Sequence, residues 1–253
     1  MKIAISGKGG VGKTTFSATL AHLFKESGKN VLAIDADPDA NLGAALGCTD
    51  LDGLVPISEM TELVAERTGS KPGTYGSMFT INPKVDDLPE ALAKEVDGIR
   101  FMTLGGVKDG GTGCFCPESA MLKSLITHLI LARDDVLIMD MEAGLEHLGR
   151  ATATGVDRLI VVVEPGKRSV GTARVVKKLA ADIGLNRVSV VGNKIRNQSD
   201  EDFLRKELKG LDLLGFIPYA DSVVDADRNG ASVYKTAPEA AEAVRSIYQK
   251  LIQ

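Results

Sequence analysis

The sequence predicts an α/β fold with a doubly wound, mostly parallel sheet. Three observations support it: a glycine-rich loop lies between a short strand and a helix, several strands are apolar throughout, and strands alternate with helical patterns. Strands that are apolar on both faces are typical of parallel sheets covered by helices on either side. Any ligand of such a sheet is expected at the carboxyl ends of its strands.

The elements follow in order along the chain. The predicted strands occupy residues 3–5, 31–34, 136–139, 159–163 and 188–191. A first helix follows the glycine-rich loop, and further helices are predicted at residues 118–132, 169–183 and 200–208. Residues 244–253 are interpreted as the last core helix. Residues 48–98 contain four prolines and allow no firm assignment.

Composition narrows the functional classes. The 253 residues are 44% hydrophobic and contain no linker or repeat, so we expect one domain spanning residues 1–253. A net charge of −4 argues against nucleic-acid binding, which depends on a cationic surface. We also expect no membrane segment or secretory leader, and therefore a cytoplasmic protein. Three cysteines do not suggest a disulfide framework.

The glycine-rich loop at residues 7–14 reads G-K-G-G-V-G-K-T. Glycines allow successive backbone N–H groups to turn towards an anion. Lys13 is expected to meet the β- and γ-phosphates of a nucleotide, and the Thr14 hydroxyl to bind Mg²⁺. The residues expected to hold the nucleotide here are Gly9, Gly10, Val11, Gly12, Lys13, Thr14 and Thr15.

Lys8 is an additional cation in this loop. It is either an exposed loop lysine or a group that reaches a nucleotide in a second copy of the chain. Residues 8–15, K-G-G-V-G-K-T-T, resemble the deviant Walker A signature of P-loop ATPases that include nitrogenase reductase and the ATPases that place division sites or partition DNA. The resemblance implies that Lys8 acts catalytically across a homodimer interface, together with Lys13.

Two predicted strands end in aspartates. Residues 35–41, D-A-D-P-D-A-N, are compatible with plain turn chemistry but also resemble the family's switch I, which implies that Asp37 polarises the hydrolytic water. The strand ending in Asp140 resembles Walker B, which implies that Asp140 holds Mg²⁺ through water. Ala143 and Gly144 then resemble switch II.

Residues 193–196 indicate which base is bound. Asn193 and Lys194 resemble the N-K base-binding element, but Arg196 stands where guanine-specific proteins have an aspartate. A cation cannot accept the guanine N–H bonds, so adenine, and hence ATP, is expected. Asn193 would face the base, with Pro218 in a second wall at residues 217–219.

Cys114 and Cys116 are separated by one residue in a glycine-rich segment before a predicted helix. They are buried small hydrophobes, a redox couple, or two ligands of one soft metal ion. Two thiolates do not complete a tetrahedral site, and an identical pair from a second chain would do so. Cys48 is interpreted as structural.

These motifs, with D-M-E-A-G-L-E-H-L at residues 140–148, closely resemble the nickel-inserting accessory ATPases of anaerobic carbon monoxide dehydrogenase. The resemblance implies a homodimeric ATPase that binds Ni²⁺ or Zn²⁺ between subunits and delivers nickel to the apo-dehydrogenase. The alternative is a sister factor, whose client is acetyl-CoA synthase.

Two other functional classes fit the sequence less well. An iron–sulfur reductase of the nitrogenase type would have a cysteine at position 143, where this chain has alanine. A positioning ATPase that rides on membrane or DNA would need a basic amphipathic end or a positive face, which this sequence lacks.

Overall fold

The fold is built on an eight-stranded sheet within residues 1–51, 53–72, 78–105, 116–131, 134–145 and 148–253, which are the residues described by the computed structural model. The strands are β1 (Lys2–Ser6), β2 (Val31–Ala36), β3 (Lys94–Val96), β4 (Ile99–Thr103), β5 (Val136–Met141), β6 (Arg158–Val163), β7 (Val188–Ile195) and β8 (Asp212–Pro218). Their order is β3-β4-β2-β5-β1-β6-β7-β8.

All neighbouring strands pair in parallel except β3, which is antiparallel to β4. Asp97 and Gly98 join these two strands with positive φ angles of 52° and 75°. Left-handed residues at both central positions suit a tight hairpin, because they match the right-handed twist of the strands. The doubly wound, mostly parallel sheet predicted from the sequence is thereby confirmed.

Helices cover both faces of the sheet. They are α1 (Lys13–Glu26), α2 (Leu42–Leu46), α3 (Thr61–Thr68), α4 (Leu88–Leu92), α5 (Pro117–Leu131), α6 (Arg150–Ala153), α7 (Lys167–Asp182), α8 (Gln198–Glu207), α9 (Asp221–Arg228), α10 (Val233–Thr236) and α11 (Pro238–Leu251), with a 3₁₀ turn at Ile57–Glu59.

Two hydrophobic cores lie on opposite faces of the sheet. Along β6, Leu159 and Val161 point into one core, whereas Ile160 and Val162 point into the other. Helices α3, α5, α7 and α8 cover the first core, and α1, α2, α10 and α11 cover the second. This two-sided burial explains why the strands are apolar at every position.

Most helices and strands outside residues 48–98 match the prediction. Residues 48–98 contain helices and a strand that the sequence pattern did not indicate. The predicted helices differ from α5, α7 and α8 by one or two residues at each end. Within residues 48–98 the structure contains α3, α4, the 3₁₀ turn and β3. The last helix, α11, buries Val244 and Ile247 in the core, as predicted. In the described ranges, no helix is both long and apolar enough to cross a membrane.

The strand register brings the acidic strand ends together. β1 lies between β5 and β6, and Asp35 of β2 stands directly beside Asp140 of β5. The loop that follows β1 therefore emerges next to both carboxylates at the carboxyl edge of the sheet.

Candidate functional site

The phosphate loop leaves β1 at Ser6 and ends at Lys13, the first residue of α1. Gly7 and Gly12 have positive φ angles of 152° and 92°. A Cβ at Gly7 would collide with the carbonyl oxygen of Val162, and one at Gly12 with the side-chain amide of Asn193. Only glycine satisfies both the backbone angle and the close approach at these two positions.

Lys13 and Asp37 form an ion pair across the mouth of the loop. Their Nζ and Oδ2 atoms are 3.5 Å apart, and the two side chains are 7% and 19% exposed. Both residues line a cavity of about 550 Å³, together with Gly10, Thr14 and Asn41. The predicted phosphate-binding lysine and the predicted catalytic aspartate are thus neighbours, although 24 positions separate them in the sequence.

Asp140 is fully buried beside the start of α1. Its Oδ1 accepts a hydrogen bond from the Ser17 hydroxyl at 3.1 Å, whereas its Oδ2 has no hydrogen-bond partner among the described residues. Burial raises the pKa of Asp140 to about 7, and the negative charge of Asp35 acts in the same direction. The hydroxyls of Thr14 and Ser17 and the charge of Lys13 oppose this shift.

Asp35 is the second buried carboxylate. It accepts backbone N–H bonds from Leu42 at 2.8 Å and Asp37 at 3.2 Å. Burial raises the pKa of Asp35 to about 6, despite these bonds. The unpartnered Oδ2 of Asp140, next to Thr14, fits a Mg²⁺ ion and its bound water, because Mg²⁺ prefers oxygen ligands and retains several waters.

Asn193 and Lys194, at the end of β7, hold the phosphate loop from the other side. The Asn193 amide donates to the Val11 carbonyl at 2.7 Å, and its Oδ1 accepts the Lys194 N–H at 2.8 Å. The Lys194 ammonium donates to the Gly10 carbonyl at 2.6 Å. Asn193, predicted to face the base, therefore has both ends of its amide engaged with protein, although it also lines the cavity described next.

A second, smaller cavity of about 90 Å³ adjoins the first, and Gly12 and Thr15 line both. Pro218 and Tyr219, which the sequence predicted as a wall beside the base, form part of the wall of this cavity. The Arg196 guanidinium lies over the Tyr219 ring, 4.4 Å from its centre. Arg196 is thus held by stacking at the position where a guanine-specific protein has a carboxylate.

Lys8 is exposed at the tip of the loop, and in the part of the chain that the structure describes no ion pair involves it. The switch II segment lies close to the base of the same loop. The buried Ser6 hydroxyl donates towards the carbonyls of Glu142 and Gly144, at 3.0 and 3.2 Å.

Cys114 lies outside the described residues. Cys116 immediately precedes α5, and its sulfur is hydrogen-bonded to the Ser119 hydroxyl at 2.9 Å. Partial burial raises the pKa of the Cys116 thiol. Among the described residues no group of three or more histidine, cysteine, aspartate or glutamate side chains could hold a metal ion. Cys48 is partly buried, and its thiol donates to the Asp50 carbonyl.

Sequence reasoning missed two contributors to the site. Ser17 lies one helical turn after Lys13, and this spacing could have indicated that it faces the same way. The sequence placed Asp35 in the acidic turn but indicated no function for it, whereas the structure buries it beside Asp140.

A further open cavity of about 630 Å³ lies at the opposite edge of the sheet, where Gly28, His128 and Asp134 line it. It shares no lining residue with the two cavities described above.

Comparison with known proteins identifies the family to which the chain belongs. Residues 2–233 match the family described as the CobQ/CobB/MinD/ParA nucleotide binding domain. The chain is 42% identical over 255 residues to the carbon monoxide dehydrogenase accessory protein CooC of Rhodospirillum rubrum, covering 100% of this chain and 97% of that protein. It is 44% identical over 256 residues to an ATP-binding protein of Methanocaldococcus jannaschii, covering 100% of this chain and 98% of that protein.

Two solved structures show the same fold. The MinC:MinD cell division protein complex of Aquifex aeolicus matches with a TM-score of 0.69 and 22% identity, covering 99% of this chain and 95% of that chain. A plasmid partition protein of Borrelia burgdorferi bound to AMPPNP matches with a TM-score of 0.72 and 17% identity, covering 99% and 97%. At these identities the similarity establishes the fold alone.

Proposed function

The chain belongs to the CobQ/CobB/MinD/ParA family of nucleotide-binding domains, and from that premise we propose that it is an ATP-dependent nickel-insertion factor for carbon monoxide dehydrogenase. It is an ATPase of this family. The observation that carries the proposal is the 42% identity to a carbon monoxide dehydrogenase accessory protein over the whole chain, which supports the accessory role itself. Nickel as the cargo, the thiol pair as its site and the dimer are the finer parts of the proposal.

Hydrolysis of ATP uses the residues around the larger cavity. The loop from Gly9 to Thr15 holds the phosphates with its N–H groups, and Lys13 offsets their charge. Thr14 and Asp140 would hold Mg²⁺, which neutralises charge on the β- and γ-phosphates when bound. Asp37 orients and polarises the attacking water.

Asp37 must first release Lys13. Its carboxylate lies 3.5 Å from the Lys13 ammonium, so the phosphates of a nucleotide compete with it for that cation. Once the phosphates bind Lys13, the Asp37 carboxylate is free to act on water. On the other side, Asn193 and Lys194 keep the loop in its binding shape, and Pro218 forms part of the adenine wall.

The proposed metal site lies between two copies of the chain. Cys116 and Cys114 precede α5, in the segment that follows the carboxyl end of β4. Two thiolates from each protomer form a four-thiolate site for Ni²⁺ or Zn²⁺ on a two-fold axis. The exposed Lys8 provides the second contact between protomers, because it reaches the nucleotide held by the partner.

Coupling between these two contacts gives the delivery cycle. ATP draws the protomers together through Lys8, which brings the thiol pairs into one tight site. Hydrolysis weakens that contact and changes the separation of the thiolates, so the metal affinity falls. The difference in metal affinity between the two states sets how much of the cargo is released.

The test is a variant in which Cys114 and Cys116 are both replaced by serine. We expect it to keep ATP binding and lose stoichiometric nickel, metal-dependent dimerisation and activation of the apo-dehydrogenase. Metal content and solution mass are measured with and without ATP. The matched control is Cys48→Ser, which removes a thiol away from the proposed site and should keep one Ni²⁺ or Zn²⁺ per dimer.

Three results would overturn the proposal or transfer it to another function. A double-serine variant that still binds nickel and matures its client would remove the thiol pair from the mechanism. Activation of apo acetyl-CoA synthase but not of apo carbon monoxide dehydrogenase would transfer the assignment to that client. Nucleotide-dependent co-sedimentation with liposomes or DNA, without metal binding, would favour a surface-positioning ATPase instead.

The role of Lys8 is tested by mixing variants. Lys8→Ala and Asp37→Asn should each hydrolyse ATP poorly, because each lacks one half of the shared site. In a mixed dimer one of the two sites combines an intact Asp37 with the partner's intact lysine, so partial activity should return. Heterodimers that form and remain inactive would exclude a lysine that acts across the interface.

A further inference from the structure

His22 lies near the end of α1, the helix that begins with Lys13, and only 5% of its surface is exposed. Its Nε2 is 3.2 Å from the Leu46 carbonyl oxygen and 3.3 Å from the Ser232 hydroxyl. The imidazole stacks on the Tyr234 ring at 4.7 Å and 6°. Burial lowers the pKa of His22, which favours the neutral imidazole with one N–H. Because a carbonyl oxygen only accepts, that proton is on Nε2.

The first acceptor belongs to the phosphate side of the site. Leu46 ends α2, a five-residue helix that directly follows the acidic turn containing Asp37. The Leu42 N–H at the other end of α2 is held by the Asp35 carboxylate at 2.8 Å. Because α2 has only five residues, we expect it to move as one piece. A displacement of the acidic turn should therefore also displace the Leu46 carbonyl oxygen.

The second acceptor belongs to the opposite wall. Ser232 immediately precedes α10, and its neighbour Val233 lines both cavities of the site. Gly230 and Ala231, just before it, line the larger cavity. The Ser232 side chain is buried, and a Cβ at Gly47, next to Leu46, would lie 3.2 Å from its Cβ. Helices α2 and α10 therefore meet at His22.

We propose that His22 is a positioning residue that ties α2 to α10, so that a change in the acidic turn after hydrolysis is transmitted to the wall of the nucleotide cavity formed by Gly230, Ala231 and Val233. The shared Nε2–H is the physical link. Without it, the Leu46 carbonyl and the Ser232 hydroxyl are buried with one partner fewer, and either helix can move without the other. The inference rests on ATP binding and not on nickel delivery.

The experiment compares amide hydrogen exchange at residues 229–236 in two states, with Mg-ADP and with a non-hydrolysable Mg-ATP analogue. In the wild type we expect protection to differ between the states by about fivefold or more, the lower range for coupled sites. His22→Phe keeps a ring against Tyr234 but has no N–H, and should lose this difference. His22→Gln places an amide N–H near the position of Nε2 and should retain it.

Three further variants separate the hydrogen bond from simple packing. Ser232→Ala deletes the α10 acceptor alone and should also abolish the difference, which keeps the test decisive if His22→Phe does not fold. Tyr234→Leu removes the ring stack and keeps both acceptors, so it should lower stability but retain the difference. Arg228→Ala, on the exposed end of α9, controls for general surface change.

Each state is compared at equal solution mass, so that dimer formation does not enter the result. Equal protection in both nucleotide states of the wild type would overturn the proposal. So would a His22→Phe variant that keeps the full difference. Failure of nickel binding in the same preparations would count against the proposed function and would leave this link unaffected.

Discussion

The two flanks of the phosphate loop differ in how completely their polar groups are satisfied. On the flank of β2 and β5, the Asp140 carboxylate has one oxygen without a hydrogen-bond partner among the described residues, and both buried aspartates have raised pKa values. On the flank of β7 and β8, the Asn193 amide is bonded at both ends and Arg196 stacks on Tyr219.

The difference shows which part of the site depends on its ligands. The phosphate flank holds two buried carboxylates whose negative charge is only partly offset by Lys13 and by hydrogen bonds, so its properties should vary with pH and with Mg²⁺. The polar groups of the base flank are hydrogen-bonded or stacked within the protein itself, so this flank should respond to neither pH nor Mg²⁺.

The largest effect is expected at Lys13, and Lys194, which also contacts the phosphate loop, provides the matched control. Lys13→Ala should lower turnover by about a thousandfold, because preorganised charge at the phosphates is lost. Lys194→Ala removes one bond to the Gly10 carbonyl and should cost less than about tenfold. Phosphate release and ATP calorimetry measure both. Near-normal hydrolysis by Lys13→Ala would contradict the phosphate-loop assignment.

Asp37→Asn should lower turnover by about a hundredfold, because an amide cannot polarise water as a carboxylate does. ATP affinity should stay equal or increase, since the ion pair with Lys13 no longer competes with the phosphates. Single-turnover hydrolysis and equilibrium binding separate the two effects. Asp87→Asn, which removes a carboxylate bound to Arg67 far from the loop, is the control for charge loss. A parallel loss of binding would assign Asp37 another task.

Asp140→Asn should stabilise the nucleotide-free protein by about 2 kcal/mol at pH 8 and by less at pH 5. The folded pKa is about 7, above the ordinary value of 3.8, so the folded state binds more protons between these values. Stability contributed by the protonated group is therefore lost as the pH rises towards 7. Urea unfolding at several pH values tests this, and a variant with the same pH profile as the wild type would contradict it.

The affinity for Mg-ATP should rise as the pH increases from about 6 to 8. Below its pKa of about 7, Asp140 carries a proton that Mg²⁺ must displace, so affinity should fall by up to about tenfold per pH unit. ATP binding without Mg²⁺ should show a weaker dependence. In Asp140→Asn, Mg-ATP binding should be weak at every pH, and a preserved slope there would point to a different titrating group.

The smallest effect is expected on the base flank. Arg196→Ala removes the cation above the Tyr219 ring and should weaken ATP binding by about two- to fivefold. The loss should be the same at pH 6 and pH 8, and with or without Mg²⁺. If it varied with either condition, the two flanks would not be independent.

The sequence predicted the features that depend on near neighbours in the chain. The glycine spacing, Lys13 and Thr14 are consecutive, so the loop was visible as a motif and its conformation followed from residue type. The apolar runs identified five of the eight strands, because burial on both faces leaves a local signature. Residues 48–98 gave no signature, since their short elements are fixed by packing against α5 and the sheet edge.

Contacts between distant positions were decided only by the tertiary structure. Asn193 binds Val11 across 182 positions and His22 meets Ser232 across 210, and neither pairing leaves a periodic pattern in the sequence. They exist because β1 is placed between β5 and β6, with β7 next in the sheet, and because α10 packs against α1. The residue types thus determined which chemical groups the protein contains. Strand order and helix packing determined which of these groups meet at one site, because burial and hydrogen bonding act between elements that are distant in the sequence.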